Sequence, residues 1–219
     1  MRKKAIPPEI YTGKDNNLLY PKDADAGGSW IAMSDNGNAA VLLNGAFVKH
    51  VPLPPYQRSR GLVFTHIIAD PMPVRCLMRL ELTRIEPFTI VILEQDSLYE
   101  CRWDGSKKHC RQLPNYRPYI WSSVTLYSED IIQKRERWFA SWLNRNPNPV
   151  RADILHFHQF AGEGDTMNDL RMNRHDSMLT VSITSMQLVP GKGIIAYMDL
   201  GENKQYKQEL DFIRELTTQ

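Results

Sequence analysis

The residue with the most promise for chemistry is an asparagine at the end of a predicted strand. Asn44 follows the apolar run Ala39–Leu43 and precedes Gly45. An amide group held at the end of a rigid strand can donate a hydrogen bond to a developing oxyanion, and the glycine beside it lets a ligand approach the backbone. The alternative is a turn residue that only caps its own backbone, which is a frequent role of Asn beside Gly.

Histidines supply a second set of candidates. His156 and His158 are two residues apart. On a helix they would point to different faces and could not share a metal, whereas on a strand both would point the same way and could bind together. His175-Asp176-Ser177 contains the residue types of a hydrolytic triad, but triads are assembled in space and rarely from sequential neighbours. An isolated histidine pair without a carboxylate to orient it is weak evidence for a metal, and Gly191-Lys192-Gly193 is too short for a phosphate-binding loop. We therefore predict no metal and no cofactor.

Composition and charge narrow the class of protein. The chain has 219 residues, of which 42% are hydrophobic, which is enough for one substantial core. The net charge of +2 comes from scattered basic residues matched by nearly as many acids, which argues against nucleic acid as a partner. No apolar run is long enough to cross a bilayer, and Met1–Lys4 does not lead into a signal-peptide core. We predict a cytoplasmic protein with no membrane span.

The three cysteines, Cys76, Cys101 and Cys110, contain no CxxC pair and are odd in number. This pattern argues against a disulfide scaffold and against a cysteine zinc site. We therefore predict reduced thiols that are mostly buried.

A hairpin is the element that must position Asn44. Trp30–Ser34 is a short apolar run, Asp35-Asn36-Gly37 supplies residues that accept a positive φ, and Ala39–Leu43 is the returning strand. Residues 1–25 are rich in proline and polar residues, and we predict that they are a connecting segment.

The rest of the chain alternates between helical and extended patterns. Helices are predicted at 59–69, 74–83, 128–146, 152–160 and 209–214. Strands are predicted at 88–93, 98–103, 110–113, 119–123, 179–188 and 194–198. Trp138, Phe139 and Trp142 are predicted to be core residues of their helix. Hairpin-connected strands followed by helices indicate an α+β fold with antiparallel sheets covered by helices.

Five segments carry a resemblance to a known family. They are Gly27–Ala32, Asp35–Gly37, Leu42–Asn44, Ser59–Gly61 and Trp121–Leu126. From its first residues to about Met198 the chain resembles the NRDE family, also called the transport-and-Golgi-organisation protein 2 family, and Glu86–Phe88 and Arg102–Gly105 are similar to a bacterial branch. The resemblance implies the αββα sandwich of the N-terminal-nucleophile hydrolases, in which two antiparallel sheets lie between helical layers. It is closest to the cysteine branch, which cuts linear amides such as conjugated bile acids and penicillin side chains.

The chain departs from that family at its start. The family opens with Met-Cys, whose cysteine becomes the nucleophile, and continues through a strand to an Asn-Arg-Asp-Glu motif; this chain has neither. Lys3–Pro8 resembles the stretch just downstream of the motif, so we expect the first hairpin to be missing and the chain to be N-terminally truncated. Cys76, Cys101 and Cys110 cannot substitute, because the mechanism uses the free α-amine of the nucleophile's own residue as base.

The resemblance also implies two catalytic residues, Asn44 and Ser123. Asn44 matches the asparagine that stabilises the oxyanion in the hydrolases, and Ser123 falls where they have a second asparagine. Ser182 falls roughly where they have an arginine. No cofactor-binding or metal-binding residues are implied.

Together with the departures, the resemblance predicts a single domain over residues 1–219 with unsettled activity. It would be related to linear-amide hydrolases but inactive as an amidase in this chain. The alternative is a non-enzymatic binding or trafficking protein for an apolar or haem-like ligand, which the proposed cellular roles of the family imply. The partner is thus a small-molecule ligand or amide substrate, and sheet edges left open by the missing hairpin are expected to pair in a homodimer.

Overall fold

The computed structural model describes residues 3–213, in which antiparallel strands dominate. Its strands are β1 (Ile6–Thr12), β2 (Asn17–Lys22), β3 (Ile31–Ser34), β4 (Ala39–Asn44), β5 (Phe88–Glu94), β6 (Ser97–Trp103), β7 (Lys108–Leu113), β8 (Asn173–Arg174), β9 (Met178–Leu179), β10 (Ser182–Val189), β11 (Lys192–Asp199) and β12 (Lys204–Asp211). Its helices are α1 (Arg60–Ile68), α2 (Pro73–Arg79), α3 (Glu129–Arg145) and α4 (Arg151–Phe160). None of these helices is long and apolar enough to cross a membrane.

The strands form two main sheets. Strands β1 to β7 lie side by side in chain order as one antiparallel sheet, β10 to β12 form a three-stranded antiparallel sheet, and β8 and β9 pair as a short ribbon. The predicted α+β class with antiparallel sheets and helices is confirmed.

The predicted central hairpin is present, and it is tied to the strand before it. Met33 of β3 pairs with Ala39 of β4, and Gly37 in the turn has a φ of 88°. The Asp35 carboxylate accepts two hydrogen bonds from Asn17, at 2.9 Å from the backbone N and 2.7 Å from Nδ2. The turn is thereby fixed to the start of β2.

The two faces of the seven-stranded sheet are covered differently. One face packs against α1 and α2 through a core that includes Ala40, Ile90, Ile92, Val63, Phe64, Ile67, Ile68 and Leu77. At the β2–β3 end, the other face packs against the three-stranded sheet through Leu19, Met33, Ala39, Ile195 and Leu210. The alternation of side chains along each strand sends neighbouring residues to these two cores.

Two glycines allow α1 to approach the loop between β2 and β3. A Cβ atom on Gly28 would lie 2.2 Å from the Gly61 carbonyl carbon and 2.5 Å from the backbone N of Leu62. The backbone N of Ser29 also donates to the Gly61 carbonyl over 3.3 Å. Only a hydrogen atom fits between the two backbones, which explains a glycine at position 28.

The neighbouring residues of α1 also have structural roles. Ser59 caps the helix as predicted, because its hydroxyl accepts from the backbone N of Leu62 over 3.3 Å. Arg60 pairs with Glu86 over 3.2 Å and donates to the Pro87 carbonyl over 3.3 Å. The Ser59-Arg60-Gly61 segment thus begins a helix and fastens it to the strand region.

The prediction that residues 1–25 are a connecting segment is wrong. Residues 6–22 form the hairpin of β1 and β2, with Tyr11 opposite Leu18, and residues 1 and 2 lie outside the described part of the chain. Pro7 and Pro8 are tolerated because β1 is an edge strand and because its register shifts between Ile6 and Glu9. Local proline content indicated a linker, but edge position permits a strand.

Two further predicted elements are wrong. Residues 119–123 are not a strand, because the segment crosses the face of the large sheet and is held by side-chain hydrogen bonds. Residues 209–214 are not a helix in the described part of the chain, since 204–211 form β12 paired with β11. Arg214 lies outside the described residues. The helix predicted over 74–83 is present but ends at Arg79.

The core of α3 differs from its prediction. Trp138, Phe139 and Trp142 are only half-buried. The buried residue of α3 is Arg135, which donates to the Asn168 carbonyl over 3.1 Å and the Asp169 carbonyl over 2.8 Å. The helix is therefore joined to the following loop by a buried cation whose charge faces backbone carbonyls.

The prediction that all three cysteines are reduced thiols is wrong. Cys101 and Cys110 lie opposite each other on β6 and β7 and form a disulfide, so they are not reduced thiols. Their spacing hid this pairing, because it arises from the hairpin register. Cys76 is free, and burial, followed by the charge of Asp70, raises its pKa to about 11. The Cys76 thiol is consequently protonated at neutral pH and a poor nucleophile.

Candidate functional site

The end of β4 brings Asn44 and Ser123 together. The Ser123 hydroxyl donates to the backbone carbonyl of Asn44, with 2.8 Å between Oγ and O, and lies 2.9 Å from Thr125 Oγ1. The Asn44 side chain is exposed, and within residues 3–213 its amide group has no hydrogen-bond partner. That amide is available to a ligand, whereas the Ser123 hydroxyl anchors its own segment to the strand.

The other polar candidates are not brought into one site. His175 and Asp176 have positive φ values of 50° and 56° and form a turn. Ser177 uses its hydroxyl to donate to the Arg174 carbonyl over 2.6 Å. Ser182 begins β10 in the smaller sheet, and no hydrogen bond among the described residues joins it to Asn44 or Ser123.

An apolar cavity of about 410 Å³ lies between the large sheet and helices α3 and α4. It is lined by Val41, Leu43, Val91, Pro118, Tyr119, Ile120, Trp121, Phe139, Trp142, Leu143, Pro149, Ile154, Phe157 and His158. Trp142 and Phe157 stand with ring centroids 4.9 Å apart at the helical wall. A cavity of this volume, mainly apolar and with few polar groups, has the character of a small-molecule site.

The two histidines of helix α4 lie on different faces of the helix, as expected for residues two apart in a helical segment. His158 lines the apolar cavity, whereas His156 lies beside Phe160, with ring centroids 4.8 Å apart, in a separate hollow. The protein around the imidazole of His158 desolvates it and lowers its pKa, although the residue as a whole is exposed, and the charge of Arg135 lowers the pKa further. The imidazole of His158 is therefore neutral at neutral pH, which is the form that binds a metal ion.

A buried carboxylate holds two arginines at the edge of this cavity. Glu100 on β6 is 6% exposed. It accepts hydrogen bonds from Arg102 Nε and Nη2, both at 3.2 Å, and from Arg111 Nε at 3.1 Å. The Trp121 indole donates to it over 2.7 Å, and Arg102 also donates to the Ala46 carbonyl over 2.7 Å.

This charged cluster was not predicted from the sequence. The signal was present in part, because Glu100 and Arg102 alternate with Cys101 and Trp103 along a strand and therefore share one face. A charged pair on a predicted strand face indicates a paired or functional site. Arg111 and Trp121 gave no such signal, because the β6–β7 register and the path of residues 118–123 bring them in.

No group suited to hold a metal ion by three or more His, Cys, Asp or Glu side chains occurs in the described part of the chain. This leaves His158 as a single imidazole at the cavity and Asn44 as a single amide at the sheet end.

Comparison with protein-family models places the chain beside a known family. The family model described as Transport and Golgi organisation 2 matches residues 4–188 of this chain. The match includes Asn44, Ser123 and the cavity between the sheet and α3–α4. No curated protein matches the sequence.

Proposed function

The chain belongs to the Transport and Golgi organisation 2 family, and we propose that it binds an apolar or haem-like small molecule without reacting with it. The observation that carries this proposal is the cavity of about 410 Å³ walled by Trp121, Trp142 and Phe157. Aromatic walls give a large apolar contact area to a flat ligand. Burying such a ligand is favoured by roughly 25 cal/mol per Å² of apolar surface removed from water.

The binding proposal is tested with an uncharged fluorescent probe, N-phenyl-1-naphthylamine. Ile154 lines the cavity and is 43% exposed, so Ile154→Trp fills space without burying a new group deep in the core. We expect this variant to weaken probe binding by about tenfold or more, since a ligand of drug size needs most of such a cavity. Fluorescence titration of the purified protein measures the change.

Met78→Trp is the matched control for the added indole. Met78 is 48% exposed on α2, against the opposite face of the sheet, so this variant should bind the probe as the original protein does. Equal affinities for Ile154→Trp and the original protein would reject the cavity as the binding site. Absence of probe binding in the original protein would reject the binding proposal itself.

For a haem-like ligand, the structure predicts which of the two histidines binds the iron. His158 presents a neutral imidazole to the cavity, whereas His156 lies in another hollow. Titration with haemin should therefore produce a visible absorption band that His158→Ala abolishes or shifts and that His156→Ala leaves unchanged. A band equally sensitive to both substitutions, or to neither, contradicts His158 as the ligand.

Amide hydrolysis is a second candidate, favoured by the free amide of Asn44 at the end of β4. We propose that the facing sheets, with α1 and α2 on the outside, correspond to the αββα sandwich of the N-terminal-nucleophile hydrolases. In that arrangement Asn44 would donate to the oxyanion and Ser123 would orient the substrate. Cys76, Cys101 and Cys110 all lie inside the chain, where the backbone nitrogen is an amide and not the required free amine.

The two candidate functions can be distinguished on the protein purified from its native cell. Its N-terminal sequence and intact mass show whether a cysteine occupies the first position. An N-terminal cysteine together with turnover of linear amides would support hydrolysis, and a different first residue with no turnover would reject it. Probe binding is measured on the same preparation, so each candidate has its own result.

We propose one domain over residues 1–219 and a cytoplasmic location, although the Cys101–Cys110 disulfide removes the cysteine pattern as support for a reducing compartment. The homodimer stays a prediction. The edge strands disfavour simple pairing, because β1 contains Pro7 and Pro8 and β7 carries Lys108 and Arg111.

A further inference from the structure

The cluster around Glu100 has more positive charge than its carboxylate can balance. One buried carboxylate faces two guanidinium groups, which leaves an excess of one positive charge. His109, beside them, is paired with Asp104 over 2.7 Å. The cluster therefore attracts an anion even though a carboxylate lies at its centre.

The two arginines keep donors free for a ligand. A guanidinium has five N–H groups, and the bonds to Glu100 and to the Ala46 carbonyl occupy three of those on Arg102. Arg111 turns Nε and Nη2 toward Glu100, while its side chain is 67% exposed. The remaining N–H groups of both arginines are held in place by Glu100, which reduces the entropy lost when an anion binds.

A second hollow of about 400 Å³ opens onto these groups. It is lined by Phe47, Glu100, Arg102, His109, Cys110 and Arg111. The Phe47 ring lies 4.8 Å from the Arg102 guanidinium carbon, so an aromatic face borders the charged donors. The hollow offers a charged end and an apolar wall.

The hollow and the apolar cavity share a wall. Trp121 lines the cavity and donates to Glu100. Val91 also lines the cavity and lies directly opposite Glu100 in the β5–β6 pair, so the two side chains are on the same sheet face. The arginines therefore lie just beyond Trp121, bonded to the same carboxylate that Trp121 contacts from the cavity side.

We propose that the ligand of the apolar cavity carries an acidic group, such as a carboxylate, sulfonate or phosphate, which binds Arg102 and Arg111. This inference rests on the binding function proposed above and names its ligand class as an apolar molecule with one anionic end. The cavity supplies affinity through apolar burial, and the arginines select the acid and fix its orientation.

Two probes that differ mainly by a sulfonate test this inference. 1-Anilinonaphthalene-8-sulfonate carries the acidic group, and N-phenyl-1-naphthylamine lacks it. Arg111→Gln should weaken sulfonate-probe binding by about tenfold, which corresponds to the loss of a charge-assisted hydrogen bond, and should leave the uncharged probe unaffected. Arg75→Gln, an exposed arginine on α2, is the control and should change neither affinity.

Each outcome bears on one proposal. If Arg111→Gln changes neither probe while Ile154→Trp weakens both, the cavity binds ligands but the acidic end is rejected. If Arg111→Gln weakens the sulfonate probe but Ile154→Trp does not, the arginines hold an anion independently of the cavity and the inference is overturned. If the uncharged probe does not bind at all, the proposed function itself fails. Circular dichroism of every variant confirms that the fold is retained.

Discussion

Replacing Gly28 with alanine is expected to lower the free energy of unfolding by about 3 kcal/mol. The new Cβ would lie 2.2 Å and 2.5 Å from backbone atoms of Gly61 and Leu62. Backbone atoms of a helix cannot rotate away as a side chain can, so α1 would have to move off the loop. That movement would break the hydrogen bond from Ser29 to the Gly61 carbonyl. Urea unfolding measures the loss as a lower midpoint.

Gly201→Ala is the matched control for the added methyl group. A Cβ at Gly201 meets only Asp199 Oδ1, at 3.4 Å, among its described neighbours, and the residue has no positive φ that would strain alanine. We expect its unfolding midpoint to stay close to that of the original protein. Equal stability of the Gly28→Ala and Gly201→Ala proteins would show that the close approach of α1 has been wrongly assigned.

Replacing Glu100 with glutamine is expected to lower the free energy of unfolding by about 3 kcal/mol at neutral pH. Glutamine has the shape of glutamate and still accepts a hydrogen bond from Trp121. It lacks the negative charge, so the half-buried guanidinium of Arg102 loses its counter-ion. Removing one partner of a buried ion pair costs more than the pair contributes, because the remaining charge is left without compensation.

The effect of Glu100→Gln should depend on pH with a defined sign. Burial opposes ionisation of Glu100, but hydrogen bonds from Arg102 and Trp121 and the charges of Arg102 and Arg111 outweigh it, so its pKa is lowered from 4.5. A lowered pKa in the folded state means that the carboxylate stabilises the fold above pH 4.5 and loses this effect as pH falls below it. The difference in free energy of unfolding between the original protein and Glu100→Gln should therefore become smaller as the pH falls below 4.5.

Glu136→Gln serves as the control for the charge change, since Glu136 is exposed on α3. Its unfolding midpoint should follow that of the original protein across the same pH range. A stability gap for Glu100→Gln that stays constant from neutral pH to below pH 4 would contradict the role given to the ionised carboxylate.

Elements with a strong local pattern were predictable from sequence. The hairpin around Gly37 has turn residues that accept its φ, and the cap at Ser59 satisfies a backbone donor of α1. Helix α3 follows from the period of its apolar residues, although the residue it buries is Arg135. Periodicity identifies the inward face of a helix, but it does not show that a cation on that face will find two backbone carbonyls.

Elements that depend on distant partners were not predictable. Pro7 and Pro8 indicated a linker, yet β1 forms because its free side is the edge of a sheet. Residues 204–211 have weak local preference, and pairing with β11 makes them a strand. Tyr119–Ser123 has the composition of a strand, but its bonds to Glu100 and to the Asn44 carbonyl hold it across the sheet face.

The candidate site likewise has a part that was predictable from the sequence and a part that was not. Asn44 and Ser123 were selected from sequence and are joined by a hydrogen bond in the structure, but their catalytic role stays a prediction. The apolar cavity draws its walls from β4, β5, residues 118–121 and both α3 and α4. No single stretch of sequence contains that arrangement, so neither the cavity nor its arginine neighbours could be inferred before the fold was known.

The contact between Gly28 and Gly61 has a consequence for how related genes are recognised. Both glycines lie in short patterns that mark the resemblance of this chain to its family. The closeness of the two backbones requires a glycine at position 28 and leaves a Cβ at position 61 only 3.1 Å from the backbone of Ser29. A genome search that uses those patterns therefore selects proteins that share this backbone packing, whatever their activity. Chains found in this way are expected to share the scaffold even where evolution has changed the chemistry at Asn44, and function should be assigned to each from the residues around its own cavity.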